Sequence, residues 1–237
     1  MKIEIIRKDA ELLAKLSKRM NLDVIWFDKV DGAIKALGVT PCHVAMISID
    51  IEPLEYDLPD SMMVDSDWFE QCMEDTKGVI NTVIITAHKQ VDNADDFKWD
   101  FTFKCGGWSF KAEDEWNHSP PKEPKINPPD PATISLKVDE FKRILKPFFK
   151  ADGAGTEFLV VEGRVTIRTL DGAKSVNLGH IGTGYATSRY PLSYLYNELF
   201  MALPNKADVV MEFGSDYPAF VTVDNLRYLL APRLENY

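Results

Sequence analysis

The chain has 237 residues, 45% hydrophobic and 27% charged, and a net charge of −10 at pH 7. That size and balance fit one large or two smaller globular domains and exclude a disordered or fibrous chain. No apolar run approaches the ~20 residues of a membrane span, and the opening MKIEIIRKDAELL lacks a signal peptide's apolar core; the expectation is an intracellular protein, nucleoid-associated in a cytoplasm or nuclear, with no membrane partner.

In chain order, Asp9 to Met20 (DAELLAKLSKRM) reads as an amphipathic helix opening on an acidic, cap-compatible residue. Leu12, Leu13 and Leu16 share its apolar face, and Lys15, Lys18 and Arg19 recur at helical spacing opposite them. Gly32, in VDGAIKALGV, marks a hairpin turn. Ser66 to Thr76 predicts a second helix, acidic at Asp67, Glu70, Glu74 and Asp75 with Lys77 only at its end, followed by an apolar strand from Thr82. Alternation from Phe97 to Phe103 predicts a strand, and a tight Cys105–Gly107 turn joins it to a strand from Trp108.

The run NHSPPKEPKINPPDPAT, Asn117 to Thr133, divides the sequence. Its prolines fix φ and remove backbone donors, so it is expected to run extended as a connector between domains at 1–116 and 134–237. The second half repeats the order of the first. A helix at Asp139 to Lys146, ended by Pro147, carries Phe141, Ile144 and Leu145 on one face, and Lys142, Lys146 and Lys150 recur at i, i+4, i+8 with Arg143 alongside. Gly163 marks a second hairpin, Leu192 to Leu203 a second helix, and Asp208 (DVVMEF) and Ala219 begin further strands. Matched elements lie 126 to 131 residues apart, which reads as an internal duplication. The expected fold class is α+β: two similar domains, each with two helices on one side of an antiparallel sheet.

Enzyme signatures are missing, and neither catalysis, a cofactor nor a metal is expected. Gly182 to Gly184 lacks the Lys-Ser/Thr of a phosphate loop and reads as loop glycine. His43 beside Cys42 has no metal-ligand spacing, and the three widely spaced cysteines, Cys42, Cys72 and Cys105, fit reduced thiols. Asp92 to Asp96 lacks the glycine and glutamate of a calcium loop and reads as a solvated hairpin turn. The acidic net charge argues against nucleic acid. However, charges beyond ~8 Å are screened at cellular salt, so the two basic helix faces can still track a phosphate backbone without reading bases. The competing reading of such faces is plain solvated surface.

Tyr217-Pro218, a β-rich run, and Leu230-Ala231-Pro232-Arg233-Leu234-Glu235 resemble the closing segment of the PCNA-type DNA sliding clamps, in archaeal or viral form. Gly38 to Met46 resembles that family's segment in which Ser-His-Val follows the early strands, and Glu140-Phe141 with Arg143 resembles the start of its second channel helix. The resemblance covers nearly the whole chain. It implies the DNA clamp fold, three subunits forming a pseudo-sixfold ring around double-stranded DNA, and a non-enzymatic processivity factor that recruits DNA polymerase and repair proteins after a clamp loader opens it. Carried over by position, Lys15, Lys18, Arg19, Lys142, Arg143, Lys146 and Lys150 would face DNA. A partner-peptide pocket would involve Val39, His43, Val44, Met46, Ile126, Pro128, Pro218, Leu229, Leu230, Ala231 and Pro232. Subunits would pair the strand holding Ser109, Phe110 and Lys111 with the one holding Ser175, Val176 and Leu178. Two departures stand out: the acidic helix from Ser66, which predicts a weaker grip on phosphates, and the Pro-rich connector with little but Ile126 to floor the pocket. The acidic helix also motivates an alternative, a clamp-like regulator or decoy that binds clamp partners without efficiently encircling DNA.

Overall fold

The computed structural model describes residues 1–30, 32–58, 61–91, 97–114, 120–122, 124, 126, 128, 130–149 and 156–233. It separates into two compact units, Met1–Pro41 with Ser48–Lys122 and Cys42–Ile47 with Glu123–Tyr237. The first half runs β1 (Lys2–Ile5), α1 (Arg7–Met20), β2 (Val24–Val30), β3 (Ala33–Val39), β4 (Ala45–Ile51), β5 (Glu55–Asp57), β6 (Ser61–Asp65), α2 (Ser66–Asp75), β7 (Val83–Val91), β8 (Phe97–Cys105) and β9 (Trp108–Asp114). The second runs β10 (Ala132–Lys137), α3 (Val138–Phe149), β11 (Thr156–Val161), β12 (Arg164–Thr169), β13 (Ser175–His180), β14 (Gly182–Thr183), β15 (Tyr185–Tyr190), α4 (Ser193–Phe200), β16 (Asp208–Phe213), β17 (Ala219–Val223) and β18 (Leu226–Leu230).

The order of helices and strands is the same in both halves, and so is the pairing. The first unit stacks β5-β1-β7-β8-β9 and β4-β3-β2-β6; the second stacks β14-β10-β16-β17-β18 and β13-β12-β11-β15. Period-two alternation places one face of each strand inward, as in β12 (Arg164 out, Val165 in, Ile167 in, Arg168 out). The β11–β12 hairpin turns on Glu162 (φ 49°) and Gly163 (φ 80°), the pair of positive φ values a two-residue hairpin loop requires.

The helices supply the remaining core. In α1 the stripe Ala10, Leu13, Leu16 and Met20 is buried, which pays for ordering the helix at roughly 1.5–3 kcal/mol per large side chain. The buried Ser17 and Ser66 hydroxyls lie 2.5 Å apart and satisfy one another. α1 starts at Arg7, two residues before the acidic cap expected from sequence; Ile6 stands at the N-cap without a side-chain bond, and Asp9 sits in the first turn, where a carboxylate suits the helix dipole. α2 has the side-chain cap instead, Asp65 accepting from Trp68 N at 2.7 Å.

Three expectations about the second unit need correction. Pro147 does not end α3, which continues to Phe149. Phe148 is buried and Phe149 stacks on Tyr196 at 5.4 Å, so burial outweighs the one hydrogen bond a proline removes from a last turn. The second helix, α4, is a π-helix rather than an α-helix. Gly182 and Thr183 form strand β14 rather than a loop.

Candidate functional site

The basic faces of α1 and α3 sit in different surroundings. On α1, Lys15, Lys18 and Arg19 are exposed opposite the buried stripe. Lys15 and Lys18 line a groove of about 530 Å³ whose other wall is α2, with Asp67, Glu70 and Glu74. Burial raises the Glu70 carboxyl above its ordinary value, against a lowering hydrogen bond from Ser17 and the nearby charge of Lys18. Lys77 pairs with Glu74 at 3.1 Å. Arg7, with only 12% of its side chain exposed, is structural: its guanidinium donates to Glu11 at 2.9 Å, to Thr76 Oγ1 at 2.8 Å and to the Met73 carbonyl at 3.2 Å, closing the C-terminal end of α2.

On α3, Arg143 and Lys146 are exposed and Lys142 is half-buried. The Lys142 ammonium donates to Asn205 Oδ1 at 2.8 Å and to the Leu203 carbonyl at 3.3 Å, which orients it beside the turn after α4. α4 carries no basic residue. Its single carboxylate, Glu198, is half-buried, and burial pushes it up to about 7. Lys150 lies outside the described residues.

All the expected pocket residues except Val39 belong to the second unit. His43 (φ 56°) is exposed, and Val44, Ile126, Pro218, Leu229, Ala231 and Pro232 are half-buried, so each presents surface; Met46, Pro128 and Leu230 are buried packing. The tail is pinned at both ends, Ala231 N donating to the Val44 carbonyl at 2.9 Å and Arg233 N to the Arg189 carbonyl at 2.8 Å. Val39, at the end of β3, is half-buried in the first unit. Sequence reading missed Tyr194, whose hydroxyl lies 3.0 Å from Cys42 Sγ and is pushed up to about 12, first by that contact. Nothing in the local pattern links positions 42 and 194. Leu234 and Glu235 of the closing motif are outside the described residues.

The two strands expected at a subunit interface, β9 and β13, are both edge strands of their sheets. Ser109, Lys111 and Ser175 are exposed, and Phe110, Val176 and Leu178 are half-buried. Two apolar residues not among those expected at the interface stand in or beside β9. Trp108, 52% exposed, stacks parallel on Phe110 with centroids 6.0 Å apart, and Ile80 is 93% exposed. Ile80 lies between Val79 and Asn81, whose side chains border Gly106 in the β8–β9 turn. The alternation in WSFKA already placed Trp108 and Phe110 on one face; only Ile80 had no signal. β18, the counterpart of β9 in the order of the second half, is not an edge strand: it neighbours β4.

Among the described residues no group of three His, Cys, Asp or Glu could hold a metal ion, and no helix is long and apolar enough to cross a membrane. None of the three cysteines is in a disulfide; Cys42 is exposed, and Cys72 and Cys105 are buried.

This duplicated arrangement of antiparallel sheets and helix pairs is the DNA clamp fold. Over 100% of this chain and 99% of that one, it superposes on the A. fulgidus PCNA bound to the C-terminal region of FEN-1, with a TM-score of 0.76 and 17% identity. The PCNA2-PCNA3 complex from Sulfolobus tokodaii matches over 99% of this chain and 100% of that one (TM-score 0.71, 20% identity). PCNA from Thermococcus kodakaraensis matches over 98% and 99% (TM-score 0.72, 18% identity). No protein-family model and no curated protein matches the sequence.

Proposed function

We propose that this chain is a subunit of a DNA sliding clamp: a non-enzymatic ring that holds DNA polymerase and other replication and repair proteins on duplex DNA. The observation that carries the reading is the clamp fold over 100% of this chain, in which β9 and β13 each lie at an edge of their sheet. An exposed edge is an aggregation hazard unless a defined partner covers it. Pairing β9 of one copy with β13 of the next is a head-to-tail contact, which closes into a ring when the rotation permits. Trp108, Phe110, Val176 and Leu178 give both edges an apolar face for that contact.

Within such a ring, Arg143, Lys142 and Lys146 supply nonspecific, salt-sensitive contacts to phosphates, loose enough for sliding. A ring closed by strand pairing needs a loader to open it, and nucleotide hydrolysis falls to that loader because this chain has no phosphate loop. The half-buried surface of Val44, Ile126, Pro218, Leu229, Ala231 and Pro232 suits an extended peptide with apolar and aromatic anchors, such as the C-terminal region of a FEN-1-type nuclease. Such a protein works inside the cell, on DNA. Light scattering at micromolar concentration tests the assembly: a mass near three times 26.9 kDa is expected, and monomer alone overturns the ring. Stimulation of polymerase on primed circular DNA tests the activity, and inhibition of a resident clamp in place of stimulation overturns it.

A further inference from the structure

The Gly182-Thr183-Gly184 run lacks the signature of a phosphate loop, but the missing side chains of Gly182 and Gly184 are used. β14 pairs with β10, Thr133 opposite Thr183 and Ile134 opposite Gly182. A Cβ on Gly182 would sit 2.7 Å from the Thr133 carbonyl oxygen, and one on Gly184 (φ 80°) 2.6 Å from the Pro131 carbonyl oxygen. A Cβ on Gly214 would sit 2.5 Å from Pro128 Cβ. These obstacles are backbone or ring atoms that cannot swing aside. The connector therefore rests on three positions that admit only glycine.

The platform under Gly214 is itself held. The buried Tyr190 donates its hydroxyl to the Tyr217 carbonyl at 2.6 Å, Tyr217 N donates to the Gly214 carbonyl at 3.3 Å, and Thr187 N donates to Ser215 Oγ at 3.2 Å. Pro120, Pro121, Pro124, Pro128 and Pro131 have no N–H to give a neighbouring strand, so at these positions steric fit stands in for ladder bonds. Pro128 is buried, and half-buried Ile126 stands two residues before it.

We infer that the cradle of Gly182, Gly184 and Gly214 sets the height of the connector, and through Ile126 sets how tightly the pocket holds a partner peptide. The inference rests on the peptide-pocket reading above. Gly214, Gly184 and Gly182 are positioning residues that need not touch the peptide.

The test uses the full chain and a synthetic peptide of the A. fulgidus FEN-1 C-terminal region as probe. Gly214→Ala is expected to weaken peptide binding about tenfold or more, with the mass by light scattering unchanged. Adding Pro128→Gly to that variant removes the colliding Cβ and is expected to restore binding to within about threefold of the wild-type value, a recovery that general destabilisation would not produce. Where the wild type binds the peptide, equal binding by Gly214→Ala, or no recovery in the double variant, overturns the cradle. Amide exchange at Ile126, whose N–H donates to the Pro124 carbonyl at 3.0 Å, reads the connector without any peptide and should quicken in Gly214→Ala. If exchange responds while the wild-type protein fails to bind the peptide, the pocket reading falls and the cradle stands; unchanged exchange overturns the cradle itself.

Discussion

The α1/α2 pair of the first unit and the α3/α4 pair of the second hold matching places in a duplicated order, yet they present different chemistry. Between α1 and α2 the lysines face three carboxylates across a shared groove. Beside α3 the second helix adds only Glu198, a half-buried carboxyl that burial holds up to about 7. The inward sides did not diverge in this way: Leu13 and Leu16 in α1, and Phe141 and Leu145 in α3, are all fully buried. A buried stripe is constrained because a lost side chain costs several kcal/mol, whereas most surface substitutions stay within about 0.5 kcal/mol. Duplication thus preserves the packing and leaves the exposed faces free to specialise. The clamp reading then locates the grip on DNA mainly in the second unit.

The largest effects test the shared packing. Phe141 and Phe200 are fully buried and stack at 5.0 Å, so Phe141→Ala should cost about 3–5 kcal/mol in urea unfolding. Leu13→Ala in α1 should cost about 2–5 kcal/mol, and a loss under about 1 kcal/mol at either site would break the equivalence of the two cores. Next comes the basic face of α3. Lys142→Glu with Lys146→Glu should lower duplex affinity at least about tenfold near 0.1 M salt and make the salt dependence shallower by about two phosphate contacts, read from binding titrations across salt concentrations.

A smaller effect separates α4 from the other helices. Because burial raises the Glu198 carboxyl, its neutral form favours the folded state; that contribution is fully present at acid pH and is lost as pH rises through about 7. Stability should therefore fall by about 1 kcal/mol between pH 5 and 8, the figure being discounted for the solvent-facing half of the side chain. Glu198→Gln should flatten this dependence; Glu70 shifts in the same direction and stays as background. Smallest of all, Lys15→Glu with Lys18→Glu should weaken DNA binding less than about threefold, because carboxylates already offset these lysines. Equal losses from the α1 and α3 pairs would remove the asymmetry.

Much of this organisation is readable locally. The apolar spacing of Leu13 and Leu16, the alternation from Phe97 onward, and the turns at Gly32 and Gly163 each report a constraint carried within a few residues. Repetition of those signals revealed the two similar units. Helix ends were less legible: Ile6 offers no capping side chain, and Pro147 continues a helix because Phe148 and Phe149 find partners that local propensity does not register. The candidate site divides the same way. Exposure of Lys15 and Lys146 follows from helical periodicity, while the opposition of α2 to Lys15 and Lys18, the contact of Tyr194 with Cys42, and the exposure of Ile80 do not.

By itself, then, the sequence determined the order of the elements, its repetition in the two halves and the basic faces, since periodicity and turn chemistry act over a few residues. Tertiary structure alone decided which charges meet across a groove and which edge strands stay open. It also decided why Gly182, Gly184 and Gly214 must be glycine. Those outcomes depend on atoms brought within a few ångströms from distant parts of the chain, and no local pattern encodes that distance.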